Sequence, residues 1–319
     1  MPNLRDYFQL HFIVIIWGFT AILGLLISVS SLNLVVYRTL LATILLWGVV
    51  YWRKQNLHIS QLKALQIMFT GGLIALHWIL FFQAARVANA SVCLAGMATT
   101  TLWTSLAEPL FNKRKIRLFE LALSVIMFGG LYIVFHFEMD KVAGLSMAIF
   151  AALLGAVFSV INGQWIKQYN HYVITFYEML GAWIVATLIW LGFALLAKPQ
   201  ELEYFLTFPT FSDWLYIFIL AFVCTVYAYS VGVKLMKKFT AFAINLTINL
   251  EPVYGIVLAY LIFGENEKMT WGFYVGTLVI LISVLSYPYL NRYFMILERK
   301  QRLNKAMRLR TQREKAISQ

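Results

Sequence analysis

The stretch Thr240–Gly264 (TAFAINLTINLEPVYGIVLAYLIFG) places Asn245, Asn249, Glu251 and Pro252 inside a run apolar and long enough to cross a bilayer. A carboxylate at that depth costs at least about 2.5 kcal/mol to insert. Pro252 lacks an amide hydrogen and crowds the carbonyl of Ile248, so a helix there is expected to kink or open. Lipid tolerates such a defect only where protein or a water-filled cavity covers it. Glu251 could hold a substrate amine, or take up and release a proton as solute moves. A structural kink around a buried neutral carboxyl is the competing reading. Thr247 falls one turn before Glu251 on the same face, whereas Asn245 and Asn249 form a second stripe about 160° away on a continuous helix. All four share a cavity only if Pro252 opens the helix or one pair faces a neighbouring helix. Asparagine as an interhelical hydrogen bonder remains the alternative.

Other intramembrane groups extend the set. Arg38 and Glu178 each lie a few residues inside an apolar run, toward opposite faces, so a direct salt bridge between them is not expected. Arg38 could attract an anionic solute group or act in an outer gate, and Glu178 could act in an inner gate. Snorkelling to the interface is the plainer account of such residues. His77 could carry a proton or make a polar cavity contact, or simply bond between helices. Trp17, Trp103 and Tyr254 could line a cavity and stack on a solute, as an alternative to belt or packing roles. Glu108, a few residues before Lys113 and Arg114, reads as an interfacial ion-pair partner.

These residues need a membrane scaffold, and composition supplies one. The chain has 319 residues, of which 61% are hydrophobic and 13% charged, against about 25% charged in a soluble domain. Ten runs are expected to span, at approximately 9–29, 33–52, 64–85, 90–111, 117–136, 142–163, 172–196, 213–233, 240–263 and 270–290. With the N-terminus cytoplasmic, inner segments and tail hold 21 Lys and Arg and outer segments hold 4. That asymmetry predicts ten spans with both ends inside. The net charge of +12 therefore points to topology and anionic lipid rather than nucleic acid. The tail after Asn291 reads as a helix, either lying on lipid or solvated as a positive anchor. Cys93 and Cys224 sit in apolar runs without partners at ligand spacing, so neither a disulfide nor a metal site is expected. There is no phosphate-binding G-x-x-x-x-G-K-[ST], no H-E-x-x-H and no G-x-S-x-G, so nothing suggests an ATPase or a hydrolase.

An internal repeat organises the runs. Residues 88–103 (ANASVCLAGMATTTLW) and 239–254 (FTAFAINLTINLEPVY) align at an offset of 151, pairing Thr101 with Pro252 and Trp103 with Tyr254. Each stretch opens the fourth of five spans. Five is odd, so the second half would enter the membrane inverted, an arrangement found in secondary transporters. Trp17-Gly18, Tyr37-Arg38, both fourth-span stretches, Glu251-Pro252 with its following apolar run, Gly264-Glu265 and Gly276 together resemble the drug/metabolite transporter superfamily, specifically its EamA-type carriers. The resemblance covers about residues 8–290. It departs in the first half, where Thr101 replaces the proline and Lys113-Arg114 the Gly-Glu pair, while Glu108-Pro109 falls later; that half's fourth helix is therefore expected to be less broken at mid-depth.

The expected architecture is all-α, with a first five-helix repeat over 8–137, a second over 142–290 and a basic cytoplasmic tail over 291–319. The resemblance implies export of small metabolites or amino acids by alternating access in a bacterial plasma membrane, without a cofactor and without ATP hydrolysis. The partners are a small solute and the bilayer, with proton coupling open. An importer on the same scaffold, a lipid-modifying enzyme and a channel are the competing readings.

Overall fold

In the computed structural model, residues 2–112, 118–197 and 206–317 are described. Lys113, Arg114, Lys115, Arg117 and Lys198, which enter the charge asymmetry, lie outside them. The described residues form helices: α1 Leu4–Gly18, α2 Thr20–Leu26, α3 Ser31–Trp52, α4 Gln61–Val87, α5 Ala90–Met97, α6 Thr100–Asn112, α7 Leu118–Phe137, α8 Val142–Trp165, α9 His171–Leu196, α10 Phe211–Ile219, α11 Ser230–Leu235, α12 Ala241–Ile248, α13 Glu251–Phe263 and α14 Trp271–Ile317. A π-helical segment, Leu220–Tyr229, joins α10 to α11. Among the described residues, seven continuous or broken helices are long and apolar enough to cross a membrane: Leu4–Leu26, Ser31–Trp52, Gln61–Val87, Met139–Trp165, His171–Leu196, Phe211–Leu235 and Ala241–Glu267. The protein is thus an all-helical, multi-pass membrane protein.

Short polar side chains start many of these helices. Ser30, Asn89, Asn170 and Thr240 each accept a hydrogen bond from a backbone amide two or three residues on. Asn3 with Asp6 and Thr210 with Asp213 form reciprocal capping boxes. Each satisfies amides that would otherwise be orphaned at a helix start. The tail is not a separate helix, because α14 runs unbroken from Trp271 to Ile317.

Three acids tie the connections together at one end of the bundle. Asp213 accepts from the Ser28 amide at 2.7 Å and its hydroxyl at 2.6 Å. Glu267 accepts from the amides of Ala90 and Ser91, both at 2.9 Å, at the start of α5, where the helix dipole favours an anion. Glu138 binds the Thr270 amide and hydroxyl and the Lys141 ammonium.

Packing follows a pattern that survives exchange of the two halves. Helix α4 packs on α8 and α9, and the α10–α11 unit packs correspondingly on α1 and α3. The α5–α6 pair packs on α8, and α12–α13 packs on α1. Helices α3 and α9, α7 and α14, and the two broken helices pack on one another. The α4–α9 crossing is the tightest: a Cβ on Gly71 would overlap the Glu178 carbonyl, and one on Gly181 would overlap Met68. Close approach through small residues is how membrane helices gain packing energy without a hydrophobic drive.

Both stretches of the internal repeat are broken, contrary to the expectation that the first would be the less interrupted. The breaks fall at Ala98–Thr99 and Asn249–Leu250, and both ends of α5 and the start of α6 map onto α12 and the start of α13 at the same offset of 151. The hydrogen bonds match too. The Thr99 amide donates to Gly96 O at 3.1 Å, and the Leu250 amide to Thr247 O at 3.0 Å; each is an i→i+3 tightening of the helix. Pro252 does not lie in a helix interior. It is the second residue of α13, where its missing donor falls among amides that lack helical partners anyway. The first half makes the same turn without proline, with the Thr99 and Thr100 hydroxyls donating to Gly96 O and Met97 O. Local hydroxyl bonds of this kind compete with the helical ladder.

Candidate functional site

Between the halves lies a cavity of about 110 Å³, room for several waters at roughly 15 Å³ each. Both halves contribute to its wall. Trp17, Arg38 and His77 enter from α1, α3 and α4, and Asn245 and Glu251 from α12 and α13. Trp78, Phe81 and Phe158 make much of the remaining surface aromatic.

Glu251 is 7% exposed and faces this cavity. No hydrogen-bond or ion-pair partner for its carboxylate is found among the described residues. An intramembrane carboxylate without a protein partner is costly unless water or a ligand supplies one. Glu251 starts α13 one residue after the tightened turn and lines the cavity together with Ile244, Asn245 and Ile248. Thr100, its counterpart at the 151 offset, also lines the wall.

Asn245 is held on two sides. Its Nδ2 donates to Thr104 Oγ1 at 2.7 Å, and Ser159 Oγ donates to its Oδ1 at 3.3 Å. Asn249 instead turns to Thr101, to which its Nδ2 donates, and stitches α12 to α6 away from the wall. The Thr247 hydroxyl donates to Ala243 O at 3.0 Å and does not reach the cavity.

Arg38 does not snorkel. It is 2% exposed, its Nε donates to Thr225 Oγ1 at 3.1 Å, and its guanidinium lies 3.8 Å from the Trp78 ring centre. Among the described residues no carboxylate lies within ion-pair distance of it. A cation over an indole face in a desolvated site gains on the order of 2 kcal/mol, which leaves its remaining donors available to the cavity. The Thr225 hydroxyl is itself fixed by donation to Leu220 O within the π segment, and the Trp17 indole donates to the neighbouring Cys224 O at 3.1 Å. Single π-helical turns recur at functional sites.

His77 Nδ1 lies 2.7 Å from Ala151 O. A carbonyl only accepts, so Nδ1 carries the proton in this bond, and a neutral ring keeps its lone pair on Nε2. Phe158 stands edge-on to the imidazole at 5.2 Å. Glu178, fully buried, is set behind the wall: Tyr229 Oη donates to its Oε2 at 3.1 Å, and Asn162 Nδ2 donates to Tyr229 Oη at 2.7 Å. Tyr229 and Asn162 both line the cavity.

Two aromatics expected in the cavity lie elsewhere. The Trp103 indole donates to Thr99 Oγ1 at 3.2 Å, and Tyr254 is half-exposed beside Gly18; neither is on the wall. Each lies three residues past Thr100 or Glu251 in the same regular helix, about 60° round from the position that faces inward. Sequence reasoning missed Asn162, Tyr229 and Ser159. Asn162 carried the available signal, a lone amide in the otherwise apolar run 142–163.

The EamA-like transporter family model matches this chain twice, over residues 7–136 and 142–287. An uncharacterised transporter of Archaeoglobus fulgidus is 24% identical over 304 residues, covering 88% of this chain and 96% of that protein. A solved crystal structure superimposes with a TM-score of 0.63 at 15% identity, covering 89% of this chain and 96% of its own, and thereby supports the fold. With two tandem matches that together span most of its length, the chain belongs to the EamA-like transporter family, in line with the resemblance of its motifs to the drug/metabolite transporter superfamily.

Proposed function

We propose that the protein is a secondary transporter that moves small metabolites or amino acids by alternating access through the cavity between its halves. In this reading ten helices form two inverted five-helix repeats, over 8–137 and 142–290, in a plasma membrane with both termini cytoplasmic. The exchange-symmetric packing and the two breaks at one offset support it, because inverted repeats place a broken helix of each half at the midplane. Export is the direction the family resemblance suggests.

One observation carries the reading: a buried carboxylate, Glu251, faces a cavity large enough for water and has no hydrogen-bond or ion-pair partner among the described residues. Glu251 and Asn245 contact the solute or a coupling proton, Arg38 attracts an anionic group, and His77 and Trp17 complete the wall. Asn249, Thr247 and Pro252 shape the broken helix, and Trp103 and Tyr254 pack outside the wall. Arg38 and Glu178, expected at opposite gates, both stand at this one cavity, Arg38 on its wall and Glu178 behind it at Tyr229.

The test begins with thermal stabilisation of purified protein across a panel of amino acids and small metabolites. A solute at 100 times its Kd adds about 2.7 kcal/mol. Counterflow of the stabilising solute in proteoliposomes, in both orientations, then separates export from import. Glu251→Gln is expected to lower counterflow at least tenfold with the protein still folded. Unchanged transport and unchanged pH dependence in that variant would remove Glu251 from the mechanism.

A further inference from the structure

Glu178 is the buried acid that solute binding leaves without a task. It lies on α9 behind the cavity wall, fully buried, and no cation among the described residues is within ion-pair distance. Tyr37, Arg38 and Tyr51 on α3, Lys63, His77 and Arg86 on α4, and Lys234 on α11 are the charged or titratable groups that the elements packed on α9 offer, and none is bonded to it among the described residues. Tyr229 Oη donates to its Oε2 at 3.1 Å. Its Oε1 is a buried acceptor with no hydrogen bond, and so is Asn162 Oδ1 in the same chain of contacts.

An acid with one oxygen unfilled and no counter-ion is suited to carrying a proton that comes and goes. A proton on Glu178 gives the carboxyl a donor where it had only acceptors, and Asn162 Oδ1, an acceptor with no hydrogen bond among the described residues, stands in the same network. Tyr229 supplies the route. Its hydroxyl has one hydrogen and two acceptor positions: the hydrogen goes to Glu178 Oε2, and Asn162 Nδ2 occupies one acceptor position. Because Tyr229 is on the wall, the second acceptor position is open to water in the cavity.

We infer that Glu178 is a proton-exchange site opening to the cavity through the Tyr229 hydroxyl, and that its proton is the one coupled to solute movement. Only the coupling clause rests on the transport reading. In the loading step, a proton from hydronium in the cavity binds Tyr229 Oη as the Tyr229 proton passes to Glu178 Oε2. One O–H bond breaks and one forms at Tyr229, another forms at Glu178, and water is left behind. Release is the reverse, and no electrons change hands.

Infrared difference spectroscopy of the protein in lipid nanodiscs, switched from H2O to D2O, reads this site without any solute. A carboxyl C=O band that Glu178→Gln removes and Glu251→Gln retains is expected to shift on deuteration. Tyr229→Phe, which keeps the ring, is expected to slow that shift at least tenfold. Absence of any Glu178-dependent carboxyl band across the accessible pH range overturns the proton site. An equal exchange rate in Tyr229→Phe overturns the route. Because neither readout involves transport, failure here is distinct from failure of the transport reading, which the Glu251→Gln counterflow decides.

Discussion

The α4–α9 crossing carries the cavity's geometry, and a single methyl tests it. Gly181→Ala places a Cβ that would overlap the Met68 carbonyl and lie 2.6 Å from its Cα. Ordinary carbon contacts are about 3.5–4.0 Å, and the opposing atoms are backbone, so no side chain can swing aside. The two helices must separate by about 1 Å. Overpacking of this kind costs about 1–3 kcal/mol, and the better helix propensity of alanine returns up to about 1 kcal/mol. A net loss of about 1–2 kcal/mol is expected. The reciprocal Gly71→Ala, whose Cβ meets Glu178 and Ala182 backbone, should behave alike. Gly192, on the same helix with nothing within 4 Å of an added Cβ, is the internal control. Thermal unfolding of the three variants in one detergent provides the readout. The separation also draws Glu178 from Tyr229, so solute stabilisation should weaken in Gly181→Ala and not in Gly192→Ala. Equal stability of Gly181→Ala and Gly192→Ala would show that the crossing is not as tight as described.

Three further outcomes follow. Asn249→Ala removes the bond to Thr101 between the broken helices; stability should fall by about 0.6–1.7 kcal/mol with counterflow largely kept, as measured on the same preparation. Lys238→Ala breaks the 2.8 Å pair with Asp6, but Lys238 is 44% exposed, so chemical denaturation should register no more than about 1 kcal/mol. Burial would raise the Glu138 carboxyl, but the Lys141 ammonium and the Thr270 amide and hydroxyl override it and hold it below the usual carboxylate range. Its folded value being depressed, Glu138 stabilises the protein above the ordinary value of 4.5, and that contribution is lost as pH falls through the folded value. Glu138→Gln should therefore flatten the acid side of the stability profile in a pH series of melting curves.

Much of the scaffold was readable because lipid imposes a simple rule, long apolar runs with polar connections. The interruption before Glu251-Pro252 was readable for the same reason, since proline has one well-defined effect on a helix. The interruption at Ala98–Thr99 was not, because threonine hydroxyls break the ladder only where packing lets them; the repeat offset held that information, and the missing proline masked it. Glu251 follows Ile244 and Ile248 at helical spacing, with Asn245 at the edge of that stripe, but which face of the helix meets the cavity is a tertiary outcome that periodicity does not encode. Trp103 and Tyr254 were expected in the cavity too, whereas each lies about 60° round its helix from Thr100 or Glu251. Arg38 shows the limit of depth arguments: its position near a span end suggested snorkelling, but Trp78 and Thr225, from distant parts of the chain, hold it inside. The π segment that carries Thr225 has no sequence signature that periodicity would catch.

Cysteine accessibility at the cavity wall tests the central claim most directly. Ile248→Cys on the same wall, in a background with Cys93 and Cys224 replaced by alanine, is exposed to a membrane-impermeant maleimide from one side of sealed vesicles and then from the other. Alternate exposure of one cavity predicts labelling from both sides, suppressed by the solute that the stabilisation panel identifies. Labelling from a single side only, indifferent to that solute, would contradict it.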